Sequence, residues 1–245
     1  MQTFAKIKEY IRSVRIEYIH SRLRKTSALH IQGQTVIIAP HPDDEVLGCG
    51  GLIARLVQEG LPPHVIIMTG GEQSHNGCCN ISGKEIIQNR HKLTLNAMEI
   101  LGIPSSNVHC LNFHDGGIAM TDSETMNLSR LINSLQPDIV LIPHPKEGWS
   151  DHVNTGSIVK ELVAGSENIS LYEYCVWFWY YNSWAIDWAN AWLLKMTDHE
   201  HRLKLEAIDA YITPLAPCGN PWSGVLPRIF VKANRWNKEL YFKVQ

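Results

Sequence analysis

Short apolar strands alternate with amphipathic helices along residues 35–165, and this alternation constrains the fold more than any other feature. The predicted strands are TVIIAP (35–40), HVIIMTG (64–70), NVHCLNF (107–113) and DIVLIP (138–143). The predicted helices between and after them cover residues 50–60, 84–102, 123–136 and 154–165. This alternation predicts a mainly parallel sheet with helices on both faces. We therefore expect one Rossmann-like, doubly wound α/β domain over residues 31–245.

Residues 1–30 are expected to form an N-terminal extension that begins with a basic amphipathic helix. Its apolar residues recur every three or four positions, at Phe4, Ile7, Ile11, Val14 and Tyr18. Over residues 1–25, basic residues outnumber acidic residues by five. The plain interpretation is a helix packed on the domain with a solvated basic face. The alternative is peripheral contact with an anionic membrane surface.

Composition argues against several classes of protein. The net charge of -2 gives no electrostatic reason to expect a nucleic-acid partner. No apolar run approaches 18 residues, so no transmembrane helix is expected. The six cysteines form no CxxC pair, and the first residues lack the apolar core of a signal peptide. We expect free thiols and a cytoplasmic protein, with a peripheral position at the inner membrane face as the alternative.

Polar side chains follow the first and the fourth predicted strands, at the point where each strand ends. The two loops contain His41, Asp43, Asp44, His144, Asp151 and His152. Because the carboxyl ends of parallel strands meet at one sheet edge, both loops are expected at one ligand-binding crevice. Carboxylates buried there need a compensating cation. Two histidines and one carboxylate would hold zinc with one position open for water, and the same set suits iron(II) or another divalent metal.

The segment PHPDDE (40–45), followed by GCGG (48–51), resembles the signature of the PIG-L / LmbE-like de-N-acetylases. These are zinc enzymes that remove acetyl groups from N-acetylglucosaminyl and related amino-sugar substrates. The resemblance runs from about residue 35 to residue 215, and its further pieces are MTGGE (68–72), Arg90, DGG (115–117) and SDH (150–152). It implies a zinc-dependent hydrolase that acts on an N-acetylglucosamine-type sugar or glycoconjugate, with a lipid-linked substrate as an alternative.

The resemblance also implies a role for each matching residue of the two loops. His41, Asp44 and His152 match the zinc ligands of the family. Asp43 matches the general base that takes a proton from the attacking water. Asp151 matches the acid beside the last ligand. We count it with Asp43 among the catalytic residues, because such an acid orients a histidine.

Substrate contacts are implied at Arg90 and Asp115, whereas Trp149 departs from the family pattern. Relatives often carry a histidine there that stabilises the tetrahedral oxyanion, and loss of one such donor costs on the order of a hundredfold in rate. We place Trp149 among the substrate-binding residues and take His144 as the candidate replacement donor. Two alternatives stay open: hydrolysis of a different amide by the same zinc fold, or a non-catalytic metal-binding scaffold.

Residues 172–192 contain ten aromatic side chains. The first part is expected to be a strand, and the spacing of Trp184, Trp188 and Trp192 predicts a helical stripe. Such a stripe would belong to the core or to a homo-oligomer interface; the alternative is an apolar lip for a lipid-linked or aromatic-bearing sugar. After a helix over residues 201–213, the segments IFVK (229–232) and ELYFKVQ (239–245) are expected to form edge strands or a hairpin.

Overall fold

The computed structural model describes residues 2–23, 26–76, 80–121, 123–181 and 184–244. Arg24, Lys25, Cys78 and Cys79, together with the side chain of Phe4, lie outside this description. Cys49, Cys110 and Cys175 are free thiols, as expected. No helix within the described ranges is long and apolar enough to cross a lipid bilayer.

The described residues contain eight strands and seven α-helices. The strands are β1 (Ser27–Ala28), β2 (Thr35–Ala39), β3 (His64–Thr69), β4 (Val108–Phe113), β5 (Ile139–Pro143), β6 (Ser170–Tyr174), β7 (Ala191–Lys195) and β8 (Lys238–Lys243). The helices are α1 (Gln2–Arg22), α2 (Asp44–Gln58), α3 (Gly83–Ile100), α4 (Glu124–Leu135), α5 (Ser150–Leu162), α6 (Asp198–Ile212) and α7 (Arg228–Asn234). The four strands and four helices predicted between residues 35 and 165 are therefore confirmed, with shifted ends.

All eight strands form one sheet in the order β1-β7-β8-β6-β5-β2-β3-β4. Neighbouring strands are parallel, except that β8 runs antiparallel to both β6 and β7. The chain moves from β2 outward through β3 and β4, and then returns to the other side of β2 through β5. The strand order therefore reverses between β2 and β5, which is where doubly wound sheets bind ligands. The predicted fold class is confirmed.

Helices cover both faces of the central strands. Ile37 and Val65 belong to a core that includes side chains of α2, α3 and α6. Their neighbours Val36 and Ile66 belong to a second core with side chains of α4 and α5. Because successive side chains of a strand point to opposite faces, a strand that is covered on both faces is apolar throughout. This burial explains the uninterrupted apolar runs in the sequence.

Helix α1 forms as predicted, but it buries a different face. Ile7, Ile11 and Val14 of the predicted apolar stripe are exposed, whereas Ile16 and Ile19 are buried. The buried side chains pack in a third core with residues of β7 and β8. The prediction of the packed face was therefore wrong, although the prediction of the helix was right.

Arginines of α1 contact the aromatic stretch, which explains the change of face. The Arg12 guanidinium lies 3.6 Å from the centre of the Tyr180 ring, and Arg15 lies 4.6 Å from that of Phe178. Arg15 is fully buried and donates a hydrogen bond of 2.7 Å to the Phe178 carbonyl. Burial lowers the pKa of Arg15 to about 10. Both arginines therefore belong to the packed face rather than to the predicted basic surface.

Two predictions in the C-terminal third of the chain were wrong. Trp188 lies in a 3₁₀ turn and Trp192 in β7, so the three tryptophans do not form a helical stripe. Residues 228–234, which include the predicted strand IFVK, form helix α7 after Pro227. The second predicted strand of the tail is confirmed as β8, but it lies inside the sheet rather than at an edge.

Candidate metal centre and substrate cavity

The loops after β2 and β5 meet at the switch point of the sheet. The first loop leads into α2, which begins at Asp44, and the second leads into α5, whose third residue is His152. Both helices present their N-termini here, and the partial positive charge of a helix N-terminus favours carboxylates. Asp43 precedes α2 with φ 115° and ψ -27°, a backbone conformation that is rare without glycine. Strained positions of this kind cluster at functional sites.

Three potential ligand atoms lie close together: one oxygen of Asp44 and one ring nitrogen each of His41 and His152. Oδ2 of Asp44 lies 3.2 Å from Nδ1 of His41 and 3.3 Å from Nε2 of His152. In a tetrahedral zinc site with Zn–N distances of about 2.0–2.1 Å, neighbouring ligand atoms lie about 3.3–3.4 Å apart. These two separations fit a small divalent cation, and the ligand atoms of all three residues lie within 4.8 Å of one another.

His152 supplies independent support for a cation. Its side chain is buried, and neither ring nitrogen has a hydrogen-bond partner among the described residues. Burial lowers the pKa of His152 to about 4, so the ring is neutral and keeps a lone pair for a metal. A buried polar atom without a partner is unusual in a native protein and calls for an unseen ion or water.

The charge of the site also calls for a cation. The carboxylates of Asp43, Asp44, Asp115 and Asp151 are all buried close to one another, and Arg90 is the buried arginine beside them. Arg90 and a protonated His41 supply at most two positive charges against these four carboxylates, and uncompensated buried charge is costly. A divalent ion at the three converging ligand atoms would restore the balance.

The second nitrogen of His41 is held by two further carboxylates. Nε2 lies 3.1 Å from Asp115 Oδ1 and 3.2 Å from Asp151 Oδ2. Burial alone would lower the pKa of His41, but hydrogen bonds to Asp115, Asp151 and Asp44 raise it well above its ordinary value. Asp151 accepts hydrogen bonds from the backbone N–H groups of Gly116 and Ile118, which fix it in place. These contacts orient the ring so that Nδ1 faces Asp44.

Asp43 has a different partner from its neighbour Asp44. Its carboxylate lies 3.4 Å from Nη2 of Arg90, and the same guanidinium donates to the backbone carbonyls of Gly71 and Pro42. Burial raises the pKa of Asp43 well above its ordinary value, and the charge of Arg90 opposes this rise. A Cβ atom on Gly71 would lie 2.1 Å from Arg90 Nη1, so only glycine leaves room for this contact.

Two buried glutamates support the site: Glu45 belongs to the PHPDDE motif, whereas no motif in the sequence pointed to Glu147. Glu147 accepts hydrogen bonds from three consecutive backbone N–H groups, those of residues 176–178. Its Oε2 lies 3.6 Å from Nδ1 of His152, and burial raises the pKa of Glu147 to about 8. Glu45 accepts hydrogen bonds from the Asp43 backbone and from the Tyr211 hydroxyl. Burial raises the pKa of Glu45 to about 7.

A cavity of about 430 Å³ opens over these residues, within the range of about 300–1,000 Å³ that is typical of small-molecule sites. The eight predicted site residues all line it: His41, Asp43, Asp44, Arg90, Asp115, Trp149, Asp151 and His152. On one side, Trp149, Trp177 and Phe230 form a row of rings, with centroid separations of 5.6 Å and 4.1 Å. The cavity thus combines a charged floor with an apolar side.

His144 does not take the place predicted for it. Its ring packs in the interior, 5.0 Å from Phe178 and 4.7 Å from Phe242, instead of facing the metal ligands. Nδ1 accepts the Lys146 backbone N–H, and burial lowers the pKa of His144 to about 3. The ring is therefore neutral and engaged elsewhere, and the prediction of a replacement oxyanion donor was wrong.

Comparison with known protein families gives a match for residues 36–163, to the family described as GlcNAc-PI de-N-acetylase (PIG-L). Among curated proteins, diacetylchitobiose deacetylase of Thermococcus kodakarensis is 31% identical over 134 residues, which make up 54% of this chain and 49% of that protein. The chain spans about half the length of the curated relatives it matches.

Solved structures share the fold. N,N'-diacetylchitobiose deacetylase from Pyrococcus horikoshii has a TM-score of 0.62 at 24% identity, covering 88% of this chain and 80% of that one. The 4-carboxy-2-hydroxymuconate hydratase GalB from Pseudomonas putida has a TM-score of 0.63 at 16% identity, covering 86% and 96%. Since a deacetylase and a hydratase share this architecture, the fold alone does not assign a reaction.

Proposed function

Because the chain belongs to the GlcNAc-PI de-N-acetylase (PIG-L) family, we propose that it removes the N-acetyl group from an N-acetylglucosamine-type sugar or glycoconjugate by hydrolysis. The observation that carries this proposal is the convergence of His41, Asp44 and His152 on the floor of one cavity. The similarity to a protein named for the deacetylation of diacetylchitobiose supports an N-acetylated sugar as the substrate.

His41, Asp44 and His152 would hold one divalent metal ion, which we propose to be zinc. Two histidines and a carboxylate are a frequent catalytic zinc set, and iron(II) or another divalent ion is the alternative. Bound there, the metal supplies Lewis-acid chemistry: it polarises the acetyl carbonyl and lowers the pKa of the attacking water. Asp115 and Asp151 would keep His41 in its ligating orientation through Nε2.

Asp43 is the general base in this proposal. Its carboxylate lines the cavity next to the proposed ligand Asp44 and forms an ion pair with Arg90. Asp43 takes a proton from water while the water oxygen bonds to the acetyl carbon. The proton then passes to the sugar nitrogen as the C–N bond breaks, which yields acetate and a free amine. General acid–base catalysis of this kind contributes about 10²–10⁴-fold in rate.

The row of rings formed by Trp149, Trp177 and Phe230 suits one side of a sugar. An amino sugar carries hydroxyl groups along its edge and C–H groups on its faces, and aromatic rings cover such apolar faces. Trp149 is 48% exposed and lies at the cavity, so it is accessible to a bound molecule. These rings support a role in substrate binding, including the binding of an apolar or lipid group attached to the sugar.

Trp149 also favours a second candidate function. It stands where relatives often carry an oxyanion-binding histidine, and His144 does not replace that donor. The alternatives are hydrolysis of a different amide at the same centre and a metal-binding scaffold without catalysis. The intact set of Asp43 and the three proposed ligands supports an enzyme.

Release of acetate tests the proposal. Zinc-loaded wild-type protein is incubated with N,N'-diacetylchitobiose, N-acetylglucosamine and an N-acetylglucosaminyl inositol, beside Asp43→Asn and the control Asp198→Asn, which changes an exposed aspartate of α6. Wild type and the control are expected to release acetate. Asp43→Asn is expected to lose at least about 100-fold in rate while retaining one metal ion per chain.

Three outcomes would contradict parts of the proposal. Full activity of Asp43→Asn would place the general base elsewhere. Absence of acetate release from every sugar, with one metal bound per chain, would favour a different substrate or a scaffold. Failure of the wild-type chain to bind any divalent metal would overturn the metal centre itself.

A further inference from the structure

The C-terminal part of the chain builds one wall of the cavity, although it lies beyond the family match at residues 36–163. Residues 214–224 form a compact loop, and a hydrogen bond links it to the loop after β3. Trp222 packs against Ile86, and its carbonyl accepts a hydrogen bond of 3.3 Å from the Ser74 hydroxyl. The packing of Trp222 and this hydrogen bond therefore position the loop at the cavity.

Ser223 is the residue of this loop that lines the cavity. It is only 7% exposed, and its Oγ has no hydrogen-bond partner among the described residues. A buried hydroxyl without a partner costs about 1–3 kcal/mol. Buried polar atoms without a protein partner are few in native proteins, and each calls for a water or a ligand.

The other uncharged polar side chains of the cavity already have partners or face solvent. The Gln73 side chain accepts a hydrogen bond from Asn76, and the Ser74 hydroxyl donates to the carbonyl of Trp222. Ser150 is exposed. Apart from the proposed metal ligand His152, Ser223 is thus the one uncharged polar side chain in the described lining that is both buried and unpartnered.

We infer that Ser223 binds a hydroxyl group of the sugar through its Oγ atom, which makes it a substrate-binding residue of the deacetylation proposed above. The inference rests on that proposed function. A serine hydroxyl both donates and accepts, and so does a sugar hydroxyl, so either direction of the hydrogen bond is available. A site built around such a contact rejects an analogue that lacks the hydroxyl, because Ser223 would then stay unpaired in the complex.

Binding rather than turnover tests this role, in the zinc-loaded chain with Asp43→Asn to prevent hydrolysis. Titration calorimetry measures the affinity of this chain, with Ser223 or with Ser223→Ala, for N-acetylglucosamine and its 3-deoxy, 4-deoxy and 6-deoxy derivatives. The control is Ser157→Ala, which removes an exposed hydroxyl of α5. We expect Ser223→Ala to weaken sugar binding by about 3–10-fold, as the loss of one neutral hydrogen bond does, and the control to leave it unchanged.

The deoxy derivatives identify the contact. One derivative should bind more weakly than N-acetylglucosamine to the chain with Ser223 but equally well to Ser223→Ala, since the lost hydroxyl and the lost serine are the same interaction. Ser223→Ala should not lower the melting temperature of the sugar-free chain, because the substitution removes a buried hydroxyl that has no partner in the fold. If that variant does not fold, the derivatives are compared on the Ser223 chain alone.

The outcomes separate this inference from the proposed function. Equal sugar affinity with and without Ser223, or equal affinity of the Ser223 chain for all derivatives, would overturn the role of Ser223 and leave the deacetylase proposal in place. Absence of binding of every sugar to the zinc-loaded chain would overturn both.

Discussion

Asp43 and Asp44 are adjacent in sequence but have different surroundings. Asp44 faces the two histidines, whereas Asp43 faces Arg90. The left-handed backbone at Asp43 lies directly before the first turn of α2, so the two side chains leave the chain in different directions. A metal ligand and a free base can therefore be neighbours in the sequence. The backbone strain, of order 1–3 kcal/mol, would be the cost of this arrangement.

Glu147→Gln tests whether the carboxylate beside His152 positions that ring. The substitution replaces the carboxyl group whose Oε2 lies 3.6 Å from His152 Nδ1 with an amide. We expect zinc affinity to fall about 10–100-fold, as is typical when a group that orients a metal ligand is lost. Competition with a chromophoric chelator measures the affinity.

The control for this variant is Glu161→Gln, which changes an exposed glutamate in α5 and should leave zinc affinity unchanged. Thermal unfolding of the metal-free proteins separates a general loss of stability from a specific effect on the site. Unchanged zinc affinity in Glu147→Gln would show that the three backbone hydrogen bonds of Glu147 are its whole role.

At the scale of elements, α1 shows that helical periodicity identifies a helix without identifying its buried face. The apolar stripe that includes Ile7 and Ile11 is exposed, because the opposite side brings Arg12 and Arg15 onto aromatic rings. Arginine stems and guanidinium planes pack well against such rings. The excess of basic residues in α1 predicts a solvated basic face, but it does not show that Arg12 and Arg15 pack against aromatic rings.

Truncation of one isoleucine on each side of α1 tests this packing. Ile19 is fully buried, so Ile19→Ala is expected to lower the free energy of unfolding by about 2–5 kcal/mol. Ile7 is 50% exposed, so Ile7→Ala should change the free energy of unfolding by no more than about 0.5 kcal/mol. Urea unfolding measures both. A larger loss for Ile7→Ala than for Ile19→Ala would mean that the helix buries the stripe predicted from the sequence.

Prediction from sequence was most successful where two signals agreed. The central strands are apolar, β-branched and bounded by turns, so β2 and β5 were recognisable without tertiary information. The short run IFVK offered hydrophobicity alone, which does not distinguish a buried strand from a buried helix. The preceding Pro227 presets the backbone for the first helical turn and favours α7.

The site residues that were predicted from the sequence lie in recognisable motifs, whereas the site residues that were missed do not. His41 and His152 stand in motifs at the ends of core strands, and those motifs are visible in the sequence. Glu147 and Ser223 have ordinary sequence surroundings, and it is their burial beside the centre that distinguishes them. Burial of a side chain from a distant segment depends on the assembled fold and has no local pattern.

For the whole molecule, a metal at this centre would join two parts of the chain that are far apart in sequence. His41 and Asp44 lie before and at the start of α2, and His152 lies in α5. A ligand that binds only the folded state stabilises it, by about 2.7 kcal/mol when its concentration is 100 times the dissociation constant. Metal binding and folding stability would therefore be coupled.

Thermal unfolding with and without zinc tests this coupling. At 100 times the dissociation constant, zinc is expected to raise the melting temperature by about 5–11 °C in a chain of this size. A chelator should reverse the change. His152→Ala should show a much smaller rise relative to its own metal-free form, and an equal rise would mean that zinc binds elsewhere.

Strand β8 also affects how the protein is made. It joins β7 to β6, so the outer strands β1 and β7 reach the rest of the sheet through it. About sixty residues separate β6 from β8, and at about 5–20 residues per second the ribosome needs about 3–12 s to synthesise them. If the earlier strands fold as they emerge, β6 has an open edge throughout that interval. An open edge can pair with other chains, so slow elongation between β6 and β8 favours aggregation of this protein unless a chaperone covers the edge.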